Sequence, residues 1–328
     1  MARVGLCAAG GLVVGGLLAI PFSGDDGSSG SVATTTTVTA IVPAPPPTVL
    51  TTAVAPASTG AEVSTTLDPP TTAATAPTST IAADVPTIPG VEAAAYALID
   101  ADTGKVLAGA NVDKQLAVGS LMKLLTAYVV MQAGDPTKTV VVPDLDVVQD
   151  ESIIGLAPGM RYDRALLLRA LLVVSAGDAA QALAVDVSGS EAAFVDQMNK
   201  AAAELGLAET VAANETGLDA DGAHSSAGDV AELARVLLQD PTFRDTVDNT
   251  TAKLFGKTRP ATNQAFLTGY PGATGVKTGH TTQAGYCLAA SATRDGRSLI
   301  AVVLGTPTQA ARTAQAEAVL DWGFAQAN

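Results

Sequence analysis

Apolar and polar positions fall into regular periods only from about Val91 onward. Ala95-Tyr-Ala-Leu-Ile-Asp100, a turn at Asp102-Thr-Gly104 and Lys105-Val-Leu-Ala-Gly109 predict a β-hairpin. From Ser120 the chain is apolar nearly all round for several helical turns, the pattern of a helix inside a core. A polar, turn-rich stretch follows between Asp144 and Tyr162 and holds Gly155-Leu-Ala-Pro-Gly159. Asp163 then caps an apolar helix running through Val174. Ser175-Ala-Gly-Asp-Ala-Ala180 breaks tightly to a second helix, with Asp178 read as its N-cap and given no chemistry. Helices are predicted over 190–205 and 226–238, with Asn214-Glu-Thr-Gly-Leu218 between them. Strands return at 275–279, 285–292 and 298–304, the last two joined by the turn Arg294-Asp-Gly-Arg297, and a helix over 309–324 closes the chain. This order predicts an α/β (α+β) fold, a sheet whose strands come from both ends of the chain with helices on its faces.

The first 90 residues carry no such periods. Arg3 precedes an uncharged run from Val4 to Gly24, long enough to span a bilayer at roughly 18–20 residues. Arg3 before the run, with Asp25 and Asp26 after it, orients the remainder outward. Residues 1–24 are therefore a retained membrane anchor or a signal peptide; no cleavage site closes the run directly, and Ser31-Val-Ala33 has the pattern but lies rather far downstream. Residues 25–90 are Thr, Pro, Ala, Ser and Val with little else, a composition that cannot repay ordering entropy. They read as a disordered spacer that would span roughly 45 Å as a flexible coil. Residues 91–328 are the folded domain, expected outside the cytoplasmic membrane and anchored to it, or free in the cell wall if the leader is cut.

The net charge is −14 with only 18 Lys and Arg, none clustered, so nucleic acid is excluded as a partner. Two histidines, His224 and His280, and two cysteines, Cys7 and Cys287, give no zinc-ligand spacing and little support for a His-based triad. No cofactor is implied. Chemistry points instead to Lys123, the only charge in the helix beginning near Ser120. Burial drives a lysine pKa down and makes it a base near neutrality, and Ser120 lies three residues before it on the same face. The pair fits a serine nucleophile with its base, or else a helix-capping serine and a snorkelling lysine. Lys277-Thr278-Gly279, on or beside a strand, adds a cation, a hydroxyl and a position where a substrate backbone could lie close.

Ser120-x-x-Lys123, Ser175 in an interhelical turn and Lys277-Thr278-Gly279 occur in the order of the penicillin-binding proteins and β-lactamases. With the flanks Asn214-Glu-Thr-Gly-Leu218 and Ala284-Gly-Tyr-Cys287, residues 91–324 resemble the serine D-alanyl-D-alanine carboxypeptidases, low-molecular-mass penicillin-binding proteins. The resemblance implies a β-lactamase/transpeptidase-like fold with an all-helical lobe beside the sheet. It also implies peptidoglycan stem peptides as substrate and β-lactam antibiotics as inhibitors. Ser120 would be the nucleophile, Lys123 its base and Ser175 the proton relay, with Lys277 holding that hydroxyl. The backbone of His280, with that of Ser120, would form the oxyanion hole, and Thr278 and Arg312 would meet the substrate carboxylate; a solvated Arg312 is equally compatible. The mostly β domain that many relatives carry after the catalytic one is not expected after Phe324.

One departure stands out, since the family's Ser-x-Asn becomes Ser175-Ala-Gly177, leaving a gap where an amide usually meets substrate and lysine. Lowered activity is expected. Two other readings stay open, a non-catalytic wall-binding homologue and a class A β-lactamase. For the latter, Glu191, Glu204, Glu209 and Glu215 are present, but none stands in the matching context.

Overall fold

The computed structural model describes residues 85–146 and 152–326, so the anchor or signal read at 1–24 and most of the spacer lie outside it. Five antiparallel strands form one sheet: β1 (Ala95–Asp100), β2 (Val106–Ala110), β7 (Ala273–Thr281), β8 (Gly285–Arg294) and β9 (Arg297–Thr306). Their order is β2-β1-β9-β8-β7. Alternate side chains of each strand face opposite ways, and here both faces are covered. Ala95, Ala97, Ile99, Ala289, Ile300, Val302 and Leu304 pack with the helical lobe. Tyr96, Leu98, Ala290, Ala292, Ala301 and Val303 pack under the last helix, α8 (Gln309–Ala325). Two-sided burial is why these strands are apolar runs. Asp295 and Gly296, at φ +51° and +78°, turn β8 into β9 with the backbone twist a two-residue hairpin favours.

The predicted hairpin, the three late strands and the closing helix all form. So do α4 (Glu191–Glu204) and α5 (Ala227–Leu237), whose caps Ser190 and Ser226 accept from the backbone N–H of Ala193 and Asp229. Three readings need correction. The α-helix α1 (Lys123–Gln132) starts three residues later than expected, behind a 3₁₀ turn at Gly119–Met122. Asp163 stands at the N-cap position of α2 (Arg164–Val173) but makes no capping bond. Asp178 is not the N-cap of α3 (Gly177–Ser188), because Ala176 holds that place and Asp178 lies in the first turn.

Elements not foreseen are the two-stranded pairs β3 (Thr139–Val141) with β4 (Arg161–Asp163) and β5 (Thr251–Leu254) with β6 (Lys257–Pro260), and the helices α6 (Pro241–Val247) and α7 (Gln264–Gly269). Ile88, ahead of the expected domain start, is buried, and Gly109 N–H donates to Pro86 O at 3.0 Å, laying this segment along β2.

Candidate active site

The 3₁₀ turn is what joins Ser120 to Lys123. In that geometry side chains three apart eclipse, and Lys123 Nζ lies 3.2 Å from Ser120 Oγ. Lys123 is 1% exposed, so it does not snorkel, and Ser120 caps nothing. The ammonium or amine is also held from behind, 2.7 Å from the carbonyl oxygen of Thr216. That carbonyl is positioned by Asn214. Its Oδ1 accepts from the N–H groups of Thr216, Gly217 and Leu218 at 3.2, 2.7 and 3.2 Å and from the Thr216 hydroxyl at 2.9 Å. Its Nδ2 donates to Leu218 O at 3.0 Å. Thr126 on α1 donates its hydroxyl to Glu215 O, fastening the same segment to the helix. Sequence reasoning used Asn214-Glu-Thr-Gly-Leu218 only as a family mark. An asparagine followed by a glycine three residues on was the available signal of an Asx-type turn.

Ser175 occupies the break between α2 and α3 with φ +62°. Its Oγ accepts from Lys277 Nζ at 2.9 Å, and Lys277 also donates to Thr278 O at 3.0 Å. Lys277 is fully buried, and burial pushes its pKa well below the usual lysine range, with the Lys123 and Arg312 charges adding to the shift. The turn is braced by Asp178. Its carboxylate, buried, accepts from the N–H groups of Ile154, Gly155 and Leu156 and from Ala179 N–H at 3.0 Å. Gly177 N–H donates to Ser152 O at 2.8 Å. The polar stretch before α2 is thus sewn to the start of α3, a structural task that sequence reasoning did not assign to Asp178.

Strand β7 brings the third group. At Gly279 an added Cβ would stand 2.2 Å from Val118 O and 3.2 Å from Leu121 N. The expected close approach therefore serves the chain's own Ser120 turn, which lies flat on the strand. At Gly119 an added Cβ would stand 2.8 Å from His280 N, so the backbones flanking Ser120 and His280 run side by side. Thr278 is buried next to Lys277. The His280 ring is exposed and lies 4.1 Å from that of Tyr286. Arg312 is not the solvated arginine that was one alternative. It is 6% exposed and reaches Thr262 O at 3.4 Å, with its guanidinium 5.8 Å from the Tyr286 ring. Its Nε has no hydrogen-bond partner, and burial lowers its pKa.

Ser120, Lys123, Ser175, Lys277, Thr278, Gly279 and the His280 backbone thus line one locus between α1, α3 and β7, with Arg312 beside it. His224 is not one of these groups; it lines the adjoining cavity with Gly119, Met122, Asn214 and Gly217, paired through its backbone with Val211 and bonded by Nδ1 to Gly222 O. Cys287 is buried on β8 with its thiol pushed up to about 11 by burial, which makes it a packing residue.

The peptidase S11 family model, D-alanyl-D-alanine carboxypeptidase, matches residues 80–308. The D-alanyl-D-alanine carboxypeptidase DacF of Bacillus subtilis is 38% identical over 247 residues, 72% of this chain and 63% of that protein. Among solved structures, penicillin binding protein 6B from Escherichia coli superposes with a TM-score of 0.69 at 35% identity, covering 74% of this chain and 81% of its own. The D-alanyl-D-alanine carboxypeptidase from Mycobacterium tuberculosis H37Rv gives 0.68 at 32%, covering 75% and 96%. The chain spans 62–65% of the length of the first curated relatives it matches. The fold is that of the penicillin-binding proteins.

Proposed function

Because the chain belongs to the D-alanyl-D-alanine carboxypeptidase family, we propose that it removes the terminal D-alanine from peptidoglycan stem peptides through an acyl-enzyme on Ser120, and that penicillins block it. The observation that carries this reading is Lys123 Nζ set between Ser120 Oγ at 3.2 Å and Thr216 O at 2.7 Å, with Lys277 on Ser175 at 2.9 Å at the same locus. In its neutral form the Lys123 amine takes the Ser120 proton as Oγ attacks the carbonyl between the two D-alanines. The N–H groups of Ser120 and His280 receive the developing oxyanion, each worth about 3 kcal/mol. Ser175, oriented by Lys277, passes a proton to the departing amine, and Thr278 with Arg312 takes the carboxylate of the terminal residue. Water then frees the acyl group. A β-lactam carbonyl follows the same path to an adduct that leaves slowly.

The test is to treat the protein with labelled penicillin and map the adduct by peptide mass spectrometry, alongside D-alanine release from a pentapeptide. Label on Ser120 with release supports the reading; no label and no release defeats it. A second reading, a weakened or purely wall-binding homologue, is favoured by Gly177, which lacks the family's amide. Label without release would support a weakened enzyme, and failure of labelled penicillin to mark Ser120 would support the wall-binding homologue. Fast turnover of nitrocefin would point instead to a β-lactamase.

The same proposal places the domain of residues 91–328 outside the cytoplasmic membrane, on the spacer of residues 25–90. Arg3 ahead of an uncharged run, with acids behind it, supports an anchor or signal at 1–24. Retention of the protein in carbonate-washed membranes distinguishes an anchor from a cleaved signal.

A further inference from the structure

Three pieces of chain meet around Ser120, and two of their contacts include close backbone approaches at glycines. The turn 119–122 lies on β7, where a Cβ at Gly279 would stand 2.2 Å from Val118 O and one at Gly119 would stand 2.8 Å from His280 N. The loop 214–219 lies on the same turn, where a Cβ at Gly217 would stand 2.1 Å from Gly119 O. That loop also carries the Thr216 carbonyl that accepts from Lys123 Nζ. The third contact, between the loop and the end of β7, is made by a side chain. Asp219 Oδ1 accepts from the Thr281 hydroxyl, and its Oδ2 accepts from Gln283 N–H at 3.1 Å. Thr281 Oγ1 in turn accepts from Ala284 N–H at 3.0 Å, so the carboxylate holds the turn that leads from β7 into β8.

The plain reading of Asp219 is a surface acid that shapes its own turn. Acids of this chain that do so bind threonines close by. Asp100 takes the N–H and hydroxyl of Thr103, and Asp135 takes those of Thr137. Asp219 instead binds a threonine 62 residues on, in another element. Its own loop is shaped by Asn214. Bonds of an exposed carboxylate compete with water and add little to stability. Their weight falls on position. Thr281 follows His280, whose N–H receives the oxyanion in the proposed reaction, and Asp219 stands three residues after the carbonyl that holds Lys123. Gly119, Met122, Gly217, Asp219 and Gln283 line one cavity, so the space between loop and strand end is open and the bonds of Asp219 span it.

We infer, resting on the acyl-enzyme reading above, that Asp219 is a positioning residue for the reaction. Through Thr281 and the β7–β8 turn it keeps the His280 N–H in register with Ser120 and Lys123. One carboxylate thereby links the mounting of the base to that of the oxyanion donor, and it takes no proton itself.

The experiment follows acylation of the full chain by a fluorescent penicillin, with the rate at saturation separated from the half-saturating concentration. Asp219→Ala should slow saturating acylation roughly 10-fold, short of the 100-fold or more that outright loss of an oxyanion donor costs. The half-saturating concentration should not change. Thr281→Val should act alike, and the two together should lose far less than the product of their separate losses, because they break one link. Thr281→Ser keeps the hydroxyl and should acylate at the rate of the unaltered chain. In the free protein, amide exchange over residues 280–286 should quicken in Asp219→Asn, which keeps the shape of the side chain and loses one acceptor. A full saturating rate in Asp219→Ala overturns the inference, as do losses that multiply in the pair, a loss in Thr281→Ser equal to that in Thr281→Val, or unchanged exchange. An unaltered chain that takes no label defeats the acyl-enzyme reading and this inference with it. Equal acylation of the unaltered chain and Asp219→Ala defeats this inference alone.

Discussion

Removing the Asn214 side chain tests whether the segment behind Lys123 is part of the chemistry or merely adjacent to it. Asn214→Ala deletes four accepted hydrogen bonds and one donated bond. At about 1 kcal/mol net per bond, less what water repairs in a half-buried turn, the loss is about 2–4 kcal/mol. For a domain of this size that corresponds to a fall in Tm of roughly 5–15 °C. The catalytic effect is separate. The Thr216 carbonyl, which accepts from Lys123 Nζ at 2.7 Å, loses its fixed position. Acylation by a fluorescent penicillin should slow about 10- to 100-fold, or about 1.4–2.7 kcal/mol. Asn214→Asp separates charge from shape, because it keeps the acceptor but loses the donor to Leu218 O. Its negative charge beside Lys123 favours the protonated amine, so acylation should be slow at neutral pH and recover as pH rises. Acylation of Asn214→Ala at the full rate, whatever its Tm, would refute the reasoning and reduce Asn214 to a turn former.

Three further outcomes are expected. Asp178→Asn places an amide where the carboxylate gathers four N–H groups, and charge-assisted bonds are the stronger kind. Thermal unfolding should show a Tm lower by about 5–10 °C, and an unchanged Tm would mean that the loop holds itself. Gly177→Asn restores the missing amide and should raise D-alanine release from a pentapeptide by tenfold or more; no rise would show that the gap does not limit the enzyme. Because burial and two neighbouring cations hold the Lys277 pKa below the usual lysine range, its ammonium is lost at a lower pH than an ordinary lysine's. The alkaline fall of acylation should therefore begin below that range and move to higher pH in Arg312→Gln, measured as a full pH profile. A limb that stays in place removes Lys277 as the group responsible.

The sheet was legible in the sequence because two-sided burial leaves long apolar runs, and 285–292 and 298–304 carry theirs around an Asp295-Gly296 turn. The nucleophile pair was legible through spacing, since three residues place two side chains together in either kind of helix. What spacing could not show is that the turn is 3₁₀ and begins the helix at Lys123. The small pairs β3–β4 and β5–β6 were missed for physical reasons. Three- and four-residue strands give too little alternation to register, and Phe255-Gly256 violates the residue preference that would have marked its turn. Asp178 was misjudged because a short acid after a break satisfies the rule for an N-cap. Its real partners, Ile154 to Leu156, lie more than twenty residues upstream, beyond the reach of any local rule. Arg312 was undecidable from its helix alone, since its burial depends on Thr262 and Tyr286, both distant in the chain.

The place of β9 between β1 and β8 has a consequence for the order of synthesis. The hairpin of residues 95–110 is made first, yet its neighbour in the sheet is residues 297–306. The turn bearing Ser120 rests on β7, which itself hangs from β8. Contacts of such long sequence separation form late. A polypeptide that has not yet reached residues 273–306 therefore holds its serine and lysine without the wall that arms them, and chain growth itself delays the reactive centre until those strands have been added.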